Sequence, residues 1–193
     1  MATRTIILIR HGQYSAAKDD SPEALTPLGK QQAKYAGKRL LDYPKIDKFI
    51  VSTMPRALET CEILTRHCSY RGIIERTDLL RECVPGFPKK LRKKYGFTDT
   101  ARLHRDQRTL DKAFKKYFTI PKQDSVLVLV CHGNVIRYLI AKFLEVDTLT
   151  WRQMDITQCG ISVVQIRNKG DHKKMLISHN DVGHIPAAKR TFF

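Results

Sequence analysis

Two stretches of this sequence place a histidine and a glycine directly after a run of apolar residues. RHG occupies residues 10–12 after the run at 5–9, and HG occupies residues 132–133 after the run at 125–131. Imidazole can act as a nucleophile or a general acid–base, and glycine lets the backbone approach a ligand and donate its N–H to an anion. If both runs are strands of one sheet, the two motifs predict a phosphate or oxyanion pocket at its edge.

Two further charged residues stand in unusual surroundings. Arg56 falls in the first turn of a predicted helix, whose N-terminus is already positive. Glu82 follows the apolar pair LL at 79–80, where partial burial would raise its pKa. Each has an ordinary interpretation, as an exposed arginine or as one half of a surface ion pair. The functional hypotheses are a bound anion beside Arg56 and proton transfer by Glu82.

Alternating strand and helix patterns supply the elements that must position these residues. We predict strands at 5–10, 47–52, 72–76, 125–131, 160–166 and 174–178, and helices at 27–42, 54–67, 101–118 and 134–144. This alternation predicts an α/β fold, a three-layer sandwich with a mostly parallel central sheet. Ligands of such folds bind beyond the carboxyl ends of the strands. We expect the tail at 180–193 to be loose.

Length, cysteine usage and charge set broad limits. The chain has 193 residues, 42% of them hydrophobic, which fits a single domain over residues 1–193. Its five cysteines form no CxxC pair, so we expect free thiols and neither a disulfide framework nor a zinc site. No apolar run is long enough to span a membrane. The formal net charge of +16 favours anionic partners without choosing among nucleic acid, acidic membrane, phosphoprotein and small phosphate esters.

Five motifs, taken in order, resemble those of the histidine phosphatase superfamily, also called the phosphoglycerate mutase-like family. They are RHG, LTPLGKQQA, STMPRALET, LLRE and CHGNVIR. The finer match of LIRHGQY, DLLRE and the tail HNDVGHIP is to mitochondrial serine/threonine-protein phosphatases of that family. The resemblance implies a phosphoglycerate mutase-like fold, a homodimer, phosphoprotein substrates and a mitochondrial or mitochondria-associated location. Those relatives carry an N-terminal membrane anchor that this sequence lacks, and the expected location would be cytoplasmic if that difference is genuine.

The resemblance also implies a role for each candidate residue. His11 is expected to be the nucleophile, and Glu82 the proton donor and acceptor. Arg10 and Arg56 are expected to hold phosphate oxygens, and His132 to stabilise charge on the transferring group. Neither a metal nor another cofactor is expected to be needed. The further substrate-binding residues are expected to be Gly12, Gln13 and Gly133.

Alternatives stay open at this point. The chemistry would also suit a small-molecule phosphomonoesterase or a phosphoglycerate mutase. The basic run KKLRKK at 89–94 and the basic helix after it would suit a partner-binding or nucleic-acid-binding module with a weak or silent active site. No specific nucleic acid is expected, because no RNA-recognition motif is recognisable. In the phosphatase interpretation, the basic run steers acidic phosphopeptides toward the pocket.

Overall fold

A mixed sheet of six strands forms the centre of the molecule, for which a computed structural model describes residues 1–15, 24–43 and 45–192. The strands are β1 (Thr3–Arg10), β2 (Lys48–Ser52), β3 (Ile74–Thr77), β4 (Ser125–Cys131), β5 (Ile161–Arg167) and β6 (Lys174–Asp181). Their order across the sheet is β3-β2-β4-β1-β5-β6. The pairs β1 with β4, β2 with β4 and β2 with β3 are parallel, whereas β5 pairs antiparallel with both β1 and β6. The prediction of a mostly parallel sheet is confirmed.

Helices cover both faces of this sheet. They are α1 (Pro27–Arg39), α2 (Pro55–His67), the short α3 (Lys89–Arg92), α4 (Thr100–Tyr117) and α5 (Gly133–Phe143). Since successive strand residues point to opposite faces, Ile7 and Ile9 of β1 pack with α1 and α2, whereas Ile6 and Leu8 pack with α4 and α5. The result is the predicted three-layer α/β sandwich.

The two central strands are buried on both faces, which explains their uninterrupted apolar sequences. Residues 6–9 of β1 and residues 128–131 of β4 are completely inaccessible to solvent. Burial of each large apolar side chain contributes about 1.5–3 kcal/mol relative to leaving it exposed. The carboxyl ends of β1 and β4 are therefore held rigidly by the core, and this matters because the candidate site begins where they end.

The C-terminal segment that we expected to be loose is packed against the fold instead. β6 extends to Asp181, Ile185 is completely buried, and the Gln158 N–H donates to the Thr191 carbonyl at 3.0 Å. The prediction was wrong because a single buried isoleucine in a turn-rich segment produces no periodic apolar pattern. Phe193 lies outside the described residues.

The cysteines and helices bear on two further expectations. All five cysteines are free thiols, as predicted. Cys61, Cys131 and Cys159 are buried, and their burial raises the pKa of each thiol, so none of the three is a reactive thiolate near neutral pH. Within residues 1–15, 24–43 and 45–192, no helix is both long and apolar enough to cross a membrane.

Candidate active site

The carboxyl ends of β1 and β4 bring the two histidine motifs side by side. These strands are parallel neighbours whose register pairs Arg10 with Cys131, the last residue of each strand. The His11 N–H donates to the Cys131 carbonyl at 2.9 Å, and the ring centroids of His11 and His132 lie 5.1 Å apart. The structure thus brings together, at one edge of the sheet, the motifs that the sequence predicted would meet there.

His11 is almost completely buried, with 2% of its surface exposed. Its Nδ1 lies 2.8 Å from the Gly12 carbonyl oxygen, which can only accept, so we assign the ring proton to Nδ1. Nε2 then carries a lone pair, which accepts a hydrogen bond from Arg56 Nε at 3.1 Å. Burial, with the nearby charges of Arg56 and Arg10, lowers the pKa of His11 to about 3. The imidazole is therefore neutral near pH 7, as a nucleophile must be.

His132 is completely buried beside His11. Its Nε2 lies 2.8 Å from Ser52 Oγ at the end of β2, and the same oxygen accepts the Met54 N–H at 3.3 Å. A hydroxyl can donate its own proton while it accepts another hydrogen bond, and we assign the Ser52 proton to the bond with Nε2 and the imidazole proton to Nδ1. Nδ1 is buried with no hydrogen-bond partner among the described residues. Burial first, then His11 and Arg56, lower the pKa of His132 far below its usual value, so this N–H donor is neutral.

Arg56 lies in the first turn of α2, where the positive end of the helix disfavours a cation. It is 4% exposed, and its guanidinium carbon lies 4.6 Å from the centroid of the Tyr14 ring. The Tyr14 ring also meets the His11 ring edge-on, at a centroid distance of 5.2 Å. Tyr14 therefore packs against both the arginine and the candidate nucleophile. Tyr14 was not among the predicted site residues, although it follows the RHG motif by only two positions.

Arg10, at the end of β1, is oriented by two backbone carbonyls. Its Nη1 donates to the Ile156 oxygen at 2.6 Å and to the Phe192 oxygen at 2.8 Å. Its Nε is buried and has no hydrogen-bond partner in the described part of the chain. Burial lowers the pKa of Arg10, and the nearby carboxyl of Glu82 opposes that effect. The guanidinium is thus fixed in place while it keeps an N–H for an anionic ligand.

Glu82 follows the 3-10 helix Asp78–Leu80 and joins the same cluster of charges. Burial has the largest effect on its carboxyl group and raises the pKa of Glu82 to about 7. The Cys83 N–H, which donates to Oε1 at 3.1 Å, and the positive charges of Arg56 and Arg10 partly oppose this rise. Both the acid and the carboxylate are therefore present near neutral pH. Such a group can donate a proton in one step and accept one in the next.

A polar cleft of about 480 Å³ opens beside this cluster. Asn134 and Arg137, on the first turns of α5, form part of its wall and hydrogen-bond to each other. Asn134 Nδ2 also donates to the Cys83 carbonyl at 3.0 Å, and Arg137 donates to the Met154 carbonyl at 3.1 Å. Neither residue was among the predicted site residues, although both belong to the motif CHGNVIR. The cleft wall also includes Arg10, Glu82, Gly133 and Arg152.

The three predicted substrate-binding residues occupy different positions. Gly133 lies in the cleft wall at the N-terminus of α5, where first-turn N–H groups have no partner within the helix. The Gly12 N–H donates to Thr60 Oγ1 at 3.1 Å, and the Gln13 N–H donates to Gln32 Oε1 at 2.9 Å. The backbone amides of Gly12 and Gln13 are therefore engaged inside the protein, whereas Gly133 lies in the cleft wall; substrate binding by these three residues stays a prediction.

Gly12 has a structural reason to be glycine. A Cβ atom there would lie 2.5 Å from the Gly29 carbonyl oxygen, so the β1–α1 connection and α1 approach each other too closely for a side chain. Gly12 therefore has a packing role, and its predicted role in binding substrate stays a prediction. Among the described residues, no group of three or more His, Cys, Asp or Glu side chains is arranged so that it could hold a metal ion.

Comparison with known proteins places these observations in a family context. The family model of the histidine phosphatase superfamily (branch 1) matches residues 6–108 and 107–179. The mitochondrial serine/threonine-protein phosphatase Pgam5 of Caenorhabditis elegans is 35% identical over 198 residues, which cover 99% of this chain and 67% of that protein. Human PGAM5 is 34% identical over 200 residues, covering 98% of this chain and 66% of that protein. The chain spans about two thirds of the length of these relatives.

Solved structures show the same architecture. A phosphoglycerate mutase from Plasmodium falciparum superposes with a TM-score of 0.67 and 25% identity over the whole of both chains. YhfR from Bacillus stearothermophilus gives a TM-score of 0.73 at 21% identity, covering 95% of this chain and all of that one. The second match, at its lower identity, bears on the fold alone. Both agree with the α/β sandwich described above.

Proposed function

This chain belongs to the histidine phosphatase superfamily, and from that premise we propose that it hydrolyses phosphoserine and phosphothreonine in proteins through a phosphohistidine intermediate, without a metal ion. The observation that carries the proposal is the state of His11. It is neutral, its Nε2 lone pair faces Arg56, and the unused N–H of His132 lies on the adjacent ring. Similarity to relatives named serine/threonine-protein phosphatases supports the substrate class.

In the first step, Nε2 of His11 attacks phosphorus in line with the substrate oxygen. The N–P bond forms as the bond between phosphorus and the seryl or threonyl oxygen breaks, and Glu82 in its acid form gives its proton to that oxygen. The negative charge spread over the phosphoryl oxygens is neutralised by the guanidinium groups of Arg10 and Arg56 and by His132 Nδ1–H. Arg56 Nε releases Nε2 when it turns its N–H toward a phosphate oxygen.

In the second step, Glu82 is a carboxylate and accepts a proton from a water molecule. That water attacks phosphorus, the N–P bond breaks, and inorganic phosphate leaves with His11 and Glu82 returned to their starting states. One carboxyl therefore serves both steps, and its pKa of about 7 suits it to both because neither form is costly to reach near neutral pH.

A panel of phosphate esters tests the proposal. Wild type and His11→Ala are compared for phosphate release from phosphoserine, phosphothreonine and phosphotyrosine peptides, 3-phosphoglycerate and an aryl phosphate. We expect release from the first two peptides, abolished by the substitution, together with an acid-labile label on the wild-type protein after a brief incubation with a radiolabelled peptide. Release confined to 3-phosphoglycerate or the aryl phosphate would contradict the protein phosphatase assignment.

The phosphoglycerate mutase match gives the principal alternative a specific basis, because it extends over both chains at 25% identity. A mutase would return the phosphoryl group to an organic acceptor, so 3-phosphoglycerate would be isomerised with little phosphate released. The proposal also includes a homodimer and a mitochondrial or mitochondria-associated location, which the family resemblance and the names of the relatives support. Analytical ultracentrifugation and cell fractionation test these two parts.

A further inference from the structure

Residues 89–94, here called the basic segment, carry five cations and no acid and begin seven positions after Glu82. Four lysines, one arginine and Leu91 occupy these six positions, in and directly after α3. The four lysines are exposed, and none forms an ion pair with a described residue. Their charge is therefore not neutralised within the described part of the protein and is available to a partner.

An aromatic cluster anchors the basic segment to the rim of the cleft. The Phe87 ring centroid lies 5.5 Å from that of Tyr95 and 4.5 Å from that of Phe97. Arg92 Nε donates to the Phe87 carbonyl at 2.8 Å. On the other side, the guanidinium of Arg152, which lines the cleft, lies 4.3 Å from the Phe87 ring centroid. Phe87 thus joins the cleft wall to the basic segment.

The short chain between Glu82 and Phe87 sets the distance from the chemistry to this surface. Trp151 Nε1 donates to the Gly86 carbonyl at 3.4 Å, which holds the chain against the 3-10 helix that carries Arg152. Five residue steps of at most about 3.5 Å place Phe87 no more than about 17 Å from Glu82. Lys89 lies two steps further along, at most about 25 Å from Glu82, so a substrate chain with its phosphate beside Glu82 would reach the basic segment within about seven extended residues.

We propose that the basic segment and Arg152 form a docking surface for acidic residues of a phosphoprotein substrate, within about seven positions of the phosphorylated residue. This inference rests on the proposed protein phosphatase function. Charge complementarity identifies the partner, because clustered lysines attract carboxylates and the net charge of +16 adds long-range attraction. Arg92 is held by its bond to Phe87, so the lysines supply the adaptable contacts.

The test compares two phosphoserine peptides that differ only in charge. One carries aspartates at the third to seventh positions on each side of the phosphoserine, and the other carries asparagines there. For wild type at low ionic strength, we expect kcat/KM to be at least about tenfold higher for the aspartate peptide. The preference should shrink as salt is raised to about 0.5 M, since exposed charges are screened. An aryl phosphate, too small to reach the surface, measures the active site alone.

Two variants of equal net charge separate local docking from overall charge. The docking variant carries Gln at Lys89, Lys90, Lys93 and Lys94. The control variant carries Gln at four exposed lysines that lie outside the cleft wall and form no ion pair with a described residue, namely Lys34, Lys38, Lys122 and Lys169. We expect the docking variant to lose most of the preference for the aspartate peptide. It should keep wild-type rates on the asparagine peptide and the aryl phosphate, and the control variant should keep the preference.

Each contrary result has a distinct meaning. Equal loss of the preference in both variants, or no preference in wild type, overturns the docking surface while leaving the proposed function intact. Release from the aryl phosphate but from neither peptide overturns the proposed function and the docking surface together. Binding of a random-sequence oligonucleotide that disappears in the docking variant, with the peptide preference unchanged, overturns the inference in favour of a nucleic-acid surface.

Discussion

The raised pKa of Glu82 leads to a specific expectation for the substitution Glu82→Gln. A pKa of about 7 instead of 4.5 corresponds to about 3.4 kcal/mol in favour of the acid form. In wild type, about nine tenths of Glu82 is the acid at pH 6 and about one tenth at pH 8. The variant has no titrating group there. The ratio of wild-type to variant kcat/KM on a phosphoserine peptide should therefore fall about tenfold between pH 6 and pH 8.

The ratio is the informative quantity, because titrations common to both proteins cancel in it. The second pKa of the phosphoserine, near 6, affects both alike. His11, with a pKa of about 3, stays neutral throughout this range. At pH 6 the loss of a general acid should cost the variant about a hundredfold or more. An aryl phosphate, whose leaving group needs little protonation, should show a much smaller loss. The matched control is Glu62→Gln, an exposed carboxylate on α2.

The raised pKa of Glu82 also predicts that Glu82→Gln, although it lowers activity, raises the free energy of unfolding. A carboxyl whose pKa is higher in the folded state binds its proton more tightly there, so its burial lowers the free energy of unfolding as pH rises from about 4.5 to about 7. Urea unfolding should find Glu82→Gln more stable than wild type by up to about 3 kcal/mol at pH 8, and by less than about 1 kcal/mol at pH 5. A flat kcat/KM ratio together with equal stabilities at pH 8 would refute the assignment of Glu82 as a titrating proton donor.

Two further substitutions follow from contacts at the site. Ser52→Ala removes the hydroxyl that holds His132 Nε2, and we expect kcat for a phosphoserine peptide to fall about ten- to a hundredfold with KM little changed, whereas a merely structural role would change the melting temperature instead. Gly29→Ala would place a Cβ 1.9 Å from the Gln13 carbonyl oxygen, so thermal unfolding should show a loss of about 1–3 kcal/mol or more, with Lys30→Ala on the same helix as the control.

The position of the candidate site at one edge of the sheet could be predicted from the sequence, because local residue patterns indicate where strands end. The runs before His11 and His132 are continuous and apolar, which indicates central parallel strands, and such strands end at the same edge. The contact between Ser52 and His132 could not be predicted in this way. It depends on the register of β2 against β4, which pairs Val51 with Val130, and no local pattern fixes that pairing.

The surroundings of the site depend on tertiary packing and were also beyond the sequence. In the sequence, nothing distinguishes Tyr14 from any other loop tyrosine. Only the structure shows that its ring packs against His11 and Arg56. The backbone carbonyl of Phe192 orients Arg10 from 182 positions away, and carbonyls leave no trace in residue identity. Burial of Glu82 was an open hypothesis, since an apolar neighbour in sequence does not establish a dry environment in space.

The position of β1 at the centre of the sheet has a consequence for synthesis of the chain. Its partners are β4 and β5. Because Arg4 pairs with Ser125, 121 further residues must be synthesised before β1 and β4 can begin to pair. At about 5–20 residues per second, translation leaves this apolar strand unpaired for on the order of 10 s. Pairing over such separations also folds slowly. The nascent chain therefore carries an exposed apolar strand while these 121 residues are synthesised, and a chaperone that shields apolar strands should raise the yield of folded protein.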